Sequence, residues 1–145
     1  MENASDMDLT PLQIKEFIQK KDYFAGHVGI ELLDVSKGSA RAKMDIKKHH
    51  LNGVGIVHGA AIFALADLVF AAASNSHGTV ALAISVSISF VNAAKCKTLY
   101  AEAKEISRNP KLATYQIPVV DENDTLIASF NGMVYRKKNR FVPED

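Results

Sequence analysis

Apolar and polar residues alternate along much of the second half of this chain, while one stretch ahead of it is apolar without alternation. Residues 80–91, 98–107, 113–120 and 126–136 predict strands. Ser85, Ser87 and Ser89 against Val86, Ile88 and Phe90 is a period of two, which sends each set to its own face of a pleated strand. Breaks at 92–97, at Asn109-Pro110 and at Asp121-Glu122-Asn123-Asp124 separate these runs. Residues 30–35 and 39–46 predict two further strands around Lys37-Gly38, whose glycine suits a hairpin turn. In the second of them Ala40, Ala42, Met44 and Ile46 share one face, and Arg41, Lys43 and Asp45 the other. Residues 8–20 predict a short amphipathic helix capped by Asp8 or Thr10. Pro11 takes its first helical position, and Leu12, Ile14, Phe17 and Ile18 form its apolar stripe.

The stretch without alternation is 59–73, GAAIFALADLVFAAA. Alanine and leucine dominate, so propensity favours helix over strand, and apolar residues on every side predict a helix buried all round. The order helix, two strands, enclosed helix, four strands gives an α+β fold with an antiparallel sheet, because strands joined by short turns pair antiparallel. Either the sheet curls around the helix or a second subunit covers what it leaves open. Residues 68–94 carry no Lys, Arg, Asp or Glu, yet Ser74-Asn75-Ser76-His77-Gly78 interrupts them where a membrane helix would have its middle, and neither half is long enough to cross.

Residues 1–145 are expected to be one domain with a charged tail at 137–145, a length able to bury a core without staples. Seventeen Lys and Arg against 16 Asp and Glu, net +1, gives no basic face for nucleic acid. The one cysteine, Cys96, can close no intrachain disulfide and supports no cysteine-rich zinc site. The polar, acidic start MENASDMDLT resembles neither a secretory signal nor an arginine-rich transit peptide. A reduced, cytoplasmic protein is expected.

Asp67 is the only ionisable group between Gly59 and Ser76. A lone buried carboxylate is costly unless paired, hydrogen-bonded or shifted in pKa, and no basic residue lies within two helical turns. It therefore either fixes register by bonding backbone or hydroxyl, or performs chemistry. His58-Gly59 opens the same helix, where N–H groups lack intrahelical partners and the helix dipole is positive. Such an end can polarise a carbonyl oxygen, and glycine allows close approach. Gly53-Val54-Gly55 is no dinucleotide fingerprint, since His58 stands at the third glycine position and no strand precedes it. His49, His50 and His58 lack metal-ligand spacing, so no metal is expected.

The run Leu51-Asn52-Gly53, His58-Gly59-Ala60, Leu65-Ala66-Asp67, Phe70-Ala71 and Asn75-Ser76-His77-Gly78 resembles the hotdog-fold acyl-CoA thioesterases of the phenylacetate-pathway (PaaI-type) branch. The likeness continues through Ile88-Ser89-Phe90 to Gly132 and Tyr135-Arg136, and covers roughly residues 24–137. It implies a curved antiparallel sheet wrapped around one long central helix. It also implies hydrolysis of an aromatic or medium-chain acyl-CoA, no cofactor beyond the coenzyme A of the substrate, and a homodimer with composite sites, often paired into a tetramer. Asp67 matches the catalytic carboxylate, Gly59 the glycine whose N–H polarises the thioester carbonyl, and Asn52 and His58 its polar neighbours. Ala60 departs from a second glycine, which bears on substrate clearance, and Ala83 from a serine found in some relatives.

Gly59 and Asp67 are eight residues apart, about 12 Å along a helix at roughly 1.5 Å per residue, so one carbonyl cannot touch both within a chain. If both act, they come from different subunits across a two-fold axis. Asp67 would activate water or attack directly, and both options stay open. Arg108 and Lys111, flanking the Asn109 turn, are candidates for the coenzyme A phosphates; Asn109, Asn75 and Phe63 are further expected substrate contacts. The rivals are a non-catalytic acyl-CoA sensor, and a hotdog hydratase or dehydratase using an Asp/His pair that would include His58.

Overall fold

The computed structural model describes residues 8–141; the acidic start and the last four residues of the charged tail lie outside them. Helix α1 (Pro11–Lys21) begins as a capping box: Gln13 N–H donates to Thr10 Oγ1 at 3.2 Å, and Thr10 N–H to Gln13 Oε1 at 2.8 Å. Asp8 is not the cap, and pairs instead with Arg140. A second helix follows at once, α2 (Tyr23–Val28), which the hydrophobic pattern does not predict because six residues are too few to show a period. Its start is fixed by an N-cap: Asp22 Oδ1 accepts from Ala25 N–H at 2.9 Å.

Strands β1 (Ile30–Ser36), β2 (Ser39–Asp45), β3 (Thr79–Phe90), β4 (Thr98–Arg108), β5 (Leu112–Asp121) and β6 (Leu126–Arg140) form one antiparallel sheet in the order β1-β2-β4-β5-β6-β3. The tail's first residues belong to β6, since Thr79 still pairs with Arg140 and the charged side chains of Lys137 and Lys138 point to solvent without disturbing the ladder. Between β2 and β3 runs α3 (Gly59–Asn75), the central helix. The sheet face toward it is rich in small residues, Ala40, Ala42, Ala101, Ala103, Ala113 and Ala128, all buried, so helix and sheet approach closely. Leu65, Val69 and Phe70 fill that interface.

One close approach is at Gly132, where a Cβ would lie 2.6 Å from Phe70 Cζ. Phe70 cannot swing away, because Tyr115 and Phe130 pack edge-on against its ring. Gly132→Ala is expected to cost about 2–3 kcal/mol, the upper range for overpacking, in denaturant unfolding. Phe70→Leu in the same chain should recover part of that cost; no recovery would place the strain elsewhere.

The helix is not buried all round. Leu65, Ala66 and Val69 are sealed, but Ala60, Phe63 and Asp67 reach the surface along one stripe, with Ala64 half-buried between them. Beside that stripe β3 ends the sheet, with no strand on its outer edge among the described residues. Leu82, Ile84, Val86, Phe90 and Val91 are exposed there.

Candidate functional site

The loop before α3 is tied in three places. Asn52 Oδ1 accepts the N–H groups of Val54 (3.1 Å) and Ile56 (3.3 Å), closing a turn that Gly55 completes at φ +79°. His58 N–H donates to His50 O at 2.7 Å. His50 is itself fixed, accepting from Lys47 N–H and donating to Val28 O.

His58 is the N-cap of α3. Its Nδ1 accepts from Ala60 N–H at 3.0 Å, and its carbonyl accepts from Ala61 and Ile62. The Gly59 N–H is left with no acceptor among the described residues. It is a free donor at the positive end of a 17-residue helix. A Cβ on Gly59 would meet the Phe90 ring at 3.2 Å, so glycine keeps the approach open beneath that ring. The same capping bond makes His58 an Nε2–H tautomer with its basic lone pair already engaged.

Asn52 and Gly59 line one cavity of about 400 Å3 together with Phe90 and Asn92. With its oxygen held in the turn, Asn52 turns its amide N–H groups into a donor role. Gly59, Phe63, Asp67, Ile88 and Phe90 line an adjoining groove of about 650 Å3. The Asp67 carboxylate has no hydrogen bond and no ion pair among the described residues, which removes the register-fixing alternative. Partial burial in the apolar groove pushes its pKa above the ordinary carboxylate range, and the nearby Asp22 charge adds to the rise. An unpartnered carboxylate of raised basicity can take a proton from water. Asp22→Asn keeps the α2 cap but removes one negative charge, so ionised Asp67 becomes easier to form. The acid limb of the kcat/KM profile should move to lower pH, and an unmoved limb would separate Asp22 from Asp67.

The remaining expected site residues divide. Phe63 lies in the Asp67 groove, edge-on to Phe130. Asn75 needs correcting: it is 8% exposed, and its amide is spent on Ala71 O and on both backbone groups of Ala81, fastening α3 to β3. Arg108 sits past the opposite end of α3 from Gly59, with Nη1 donating to His77 Nδ1 at 2.6 Å. His77 Nε2 and Tyr115 Oη both donate to Glu105 Oε2, at 2.6 and 2.7 Å. Burial alone would raise the Glu105 carboxyl, but these two hydrogen bonds and the Arg108 charge hold it below the usual range. Asn109 Oδ1 caps its own turn by accepting from Lys111 and Leu112 N–H, and the Lys111 side chain is exposed. Within one chain these three are not brought to Gly59 or Asp67. Ala83 pairs with Val134 on the exposed edge strand.

Pattern reasoning missed Phe90, Ile88 and Phe24, which line the groove with Gly59 and Asp67, and Asp22, whose charge acts on Asp67. Burial and the acidic neighbours Glu122 and Asp121 raise the Cys96 thiol to about 11, which disfavours the thiolate at neutral pH. No described group of three His, Cys, Asp or Glu could hold a metal, and no described helix is long and apolar enough to cross a membrane.

Residues 54–128 match the family model of the thioesterase superfamily. The chain belongs to this superfamily. It is 43% identical over 132 residues to a protein of Archaeoglobus fulgidus described as an esterase, covering 90% of this chain and 86% of the relative. It is 31% identical over 118 residues to the acyl-coenzyme A thioesterase PaaI of Escherichia coli, covering 81% of this chain and 84% of that one. The solved structure of E. coli PaaI, from the phenylacetic acid degradation operon, superposes with a TM-score of 0.86 at 29% identity over 90% of this chain and 95% of that chain. The protein is thus a thioester hydrolase with the hotdog fold, of the PaaI type. In this thioesterase the free N–H and the free carboxylate stand on one helix, facing outward, at the strand edge that the sheet leaves open.

Proposed function

We propose that the protein hydrolyses the thioester of an acyl-coenzyme A, aromatic or medium-chain in its acyl part, to free acid and coenzyme A. The observation that carries this is the unpartnered Asp67 carboxylate in an apolar groove, on the same helix as the unpartnered Gly59 N–H. The Gly59 N–H donates to the developing oxyanion, Asn52 steers carbonyl or water, and His58 holds the loop. Asp67 activates water or attacks the carbonyl. Water and a carboxylate suffice, so the reaction needs no cofactor, and coenzyme A arrives with the substrate. The Nδ1 lone pair of His58 is engaged in capping α3, which favours thioester hydrolysis over a hydratase with His58 as its base.

Two copies make the site. The outer edge of β3 is long, apolar and unpaired among the described residues, the kind of edge that pairs with another strand. Joining two copies there, with the α3 helices antiparallel across a two-fold axis, brings Gly59 of one near Asp67 of the other, and two such dimers can form a tetramer. Arg108 and Lys111 then have access to coenzyme A phosphates only across a subunit boundary. A reduced, cytoplasmic setting accompanies such a substrate.

The test is hydrolysis of a panel of aromatic and straight-chain acyl-CoAs, followed by release of free thiol. Turnover of benzoyl-type or six- to ten-carbon acyl-CoA, with none of simple oxygen esters, is expected. Tight acyl-CoA binding without any thiol release would instead make the protein a sensor.

A further inference from the structure

Three cavities lie along one side of α3, and the residues they share fix their order. The Asn52 cavity shares Gly59 and Phe90 with the Asp67 groove. That groove shares Phe24, Ala60 and Ala64 with a third cavity of about 380 Å3, which Val28, His49 and His50 also line. The reaction described above has no use for the third cavity. It does, however, continue the groove in the direction leading away from Asn52.

Ala60 and Ala64 stand one turn apart on the open stripe of α3 and contribute only methyl groups to the passage between groove and cavity. The large side chain common to both is Phe24. The ring is 66% exposed and has no place in the core, whereas Ala25, next to it, is buried at 4%. The backbone beneath the ring is held at both ends of α2: by the Asp22 cap, and by Gly29 at φ +89°, whose N–H donates to Ala25 O at 3.0 Å. A fixed backbone thus carries an apolar ring over the seam of two cavities, beside the carboxylate.

We propose that Phe24 is the selectivity residue for the acyl group: its ring closes the passage from the thioester groove into the cavity beneath α2 and so sets the largest acyl chain accepted. This rests on the acyl-CoA thioesterase reading above. A short acyl group ends at the ring. A longer one must continue past it along Ala60 and Ala64.

The test compares dodecanoyl-CoA with hexanoyl-CoA for Phe24→Ala and Phe24→Trp. The ratio of kcat/KM values is measured in the otherwise natural chain, and the ratio of Kd values by calorimetry in chains that also carry Asp67→Asn. Phe24→Ala should raise the preference for the longer chain at least about tenfold in both measurements, and Phe24→Trp should lower it, in line with the discrimination that single methylenes provide in apolar pockets. Preferences within about twofold of the parent in both folded variants would overturn the proposal. So would a change of sedimentation with unchanged preference, which would make Phe24 a subunit contact. If no acyl-CoA is hydrolysed yet the Kd ratios move as expected, the acyl passage stands and the hydrolase mechanism falls. Phe24→Trp keeps the test decisive if Phe24→Ala fails to fold.

Discussion

Asp67→Asn should lower kcat for thioester hydrolysis at least about 10²-fold, within the usual contribution of a general base, and should do so without loss of stability. The side chain makes no hydrogen bond or ion pair among the described residues, so the amide breaks no partnership. Its raised pKa carries a definite sign. The folded state disfavours the ionised form, so the Asp67 contribution to stability is present below the unfolded pKa and is lost as pH rises through the folded one. At neutral pH the carboxylate is therefore a destabilising charge, and asparagine relieves it. The expected pair of results is a large fall in thiol release and an unchanged or higher Tm. Near-normal turnover would remove Asp67 from the mechanism, and a fall in stability above about 1 kcal/mol would return it to a structural role.

How much of this was legible in the sequence follows from what each feature depends on. Strand positions followed from alternation and turn residues, which are local, and the eight strand and helix segments expected from 8–20 to 126–136 all formed. The Asp67 and Gly59 pair was legible because one acid in an apolar helix and one glycine after a capping residue are each conspicuous. The openness of α3 was not, since apart from Asp67 the residues on its uncovered stripe are alanines and Phe63, which hydropathy scores like core. Exposure there depends on where the sheet stops, and it stops because β3 pairs with β6 rather than with β2, a long-range choice that no window of sequence contains. Asn75 was misjudged for a related reason. An amide near a helix end serves a ligand or the backbone equally well, and only the return of the chain at Ala81 decided it for backbone. Helix α2, which carries Phe24, is held by an aspartate cap and a left-handed glycine around six residues with no periodic face.

A mixture of two inactive variants is expected to recover activity. Gly59→Pro removes the free N–H at the start of α3. The helix should survive it, because proline suits the first helical position and His58, at φ −63° and ψ 136°, already has the extended backbone that a residue before proline prefers. The Phe90 ring, 3.2 Å from a Cβ at this position, has only to give by a few tenths of an ångström, and it lies exposed at the sheet edge. In a Gly59→Pro dimer each composite site lacks its oxyanion donor, and in an Asp67→Asn dimer each lacks its carboxylate. A heterodimer has one site with Gly59 from the asparagine chain and Asp67 from the proline chain, which is intact, and one site with both lesions. Refolding equal amounts together gives about half heterodimer by random pairing, each with one working site of two, so roughly a quarter of the parent activity should return. The eight-residue spacing makes this a sharp test, because the roughly 12 Å between the two groups along α3 prevents one chain from supplying both to a single carbonyl. If subunits exchange, heterodimer is present and the mixture stays inactive, the two groups do not meet across a two-fold axis, and the Gly59 N–H loses its role as oxyanion donor.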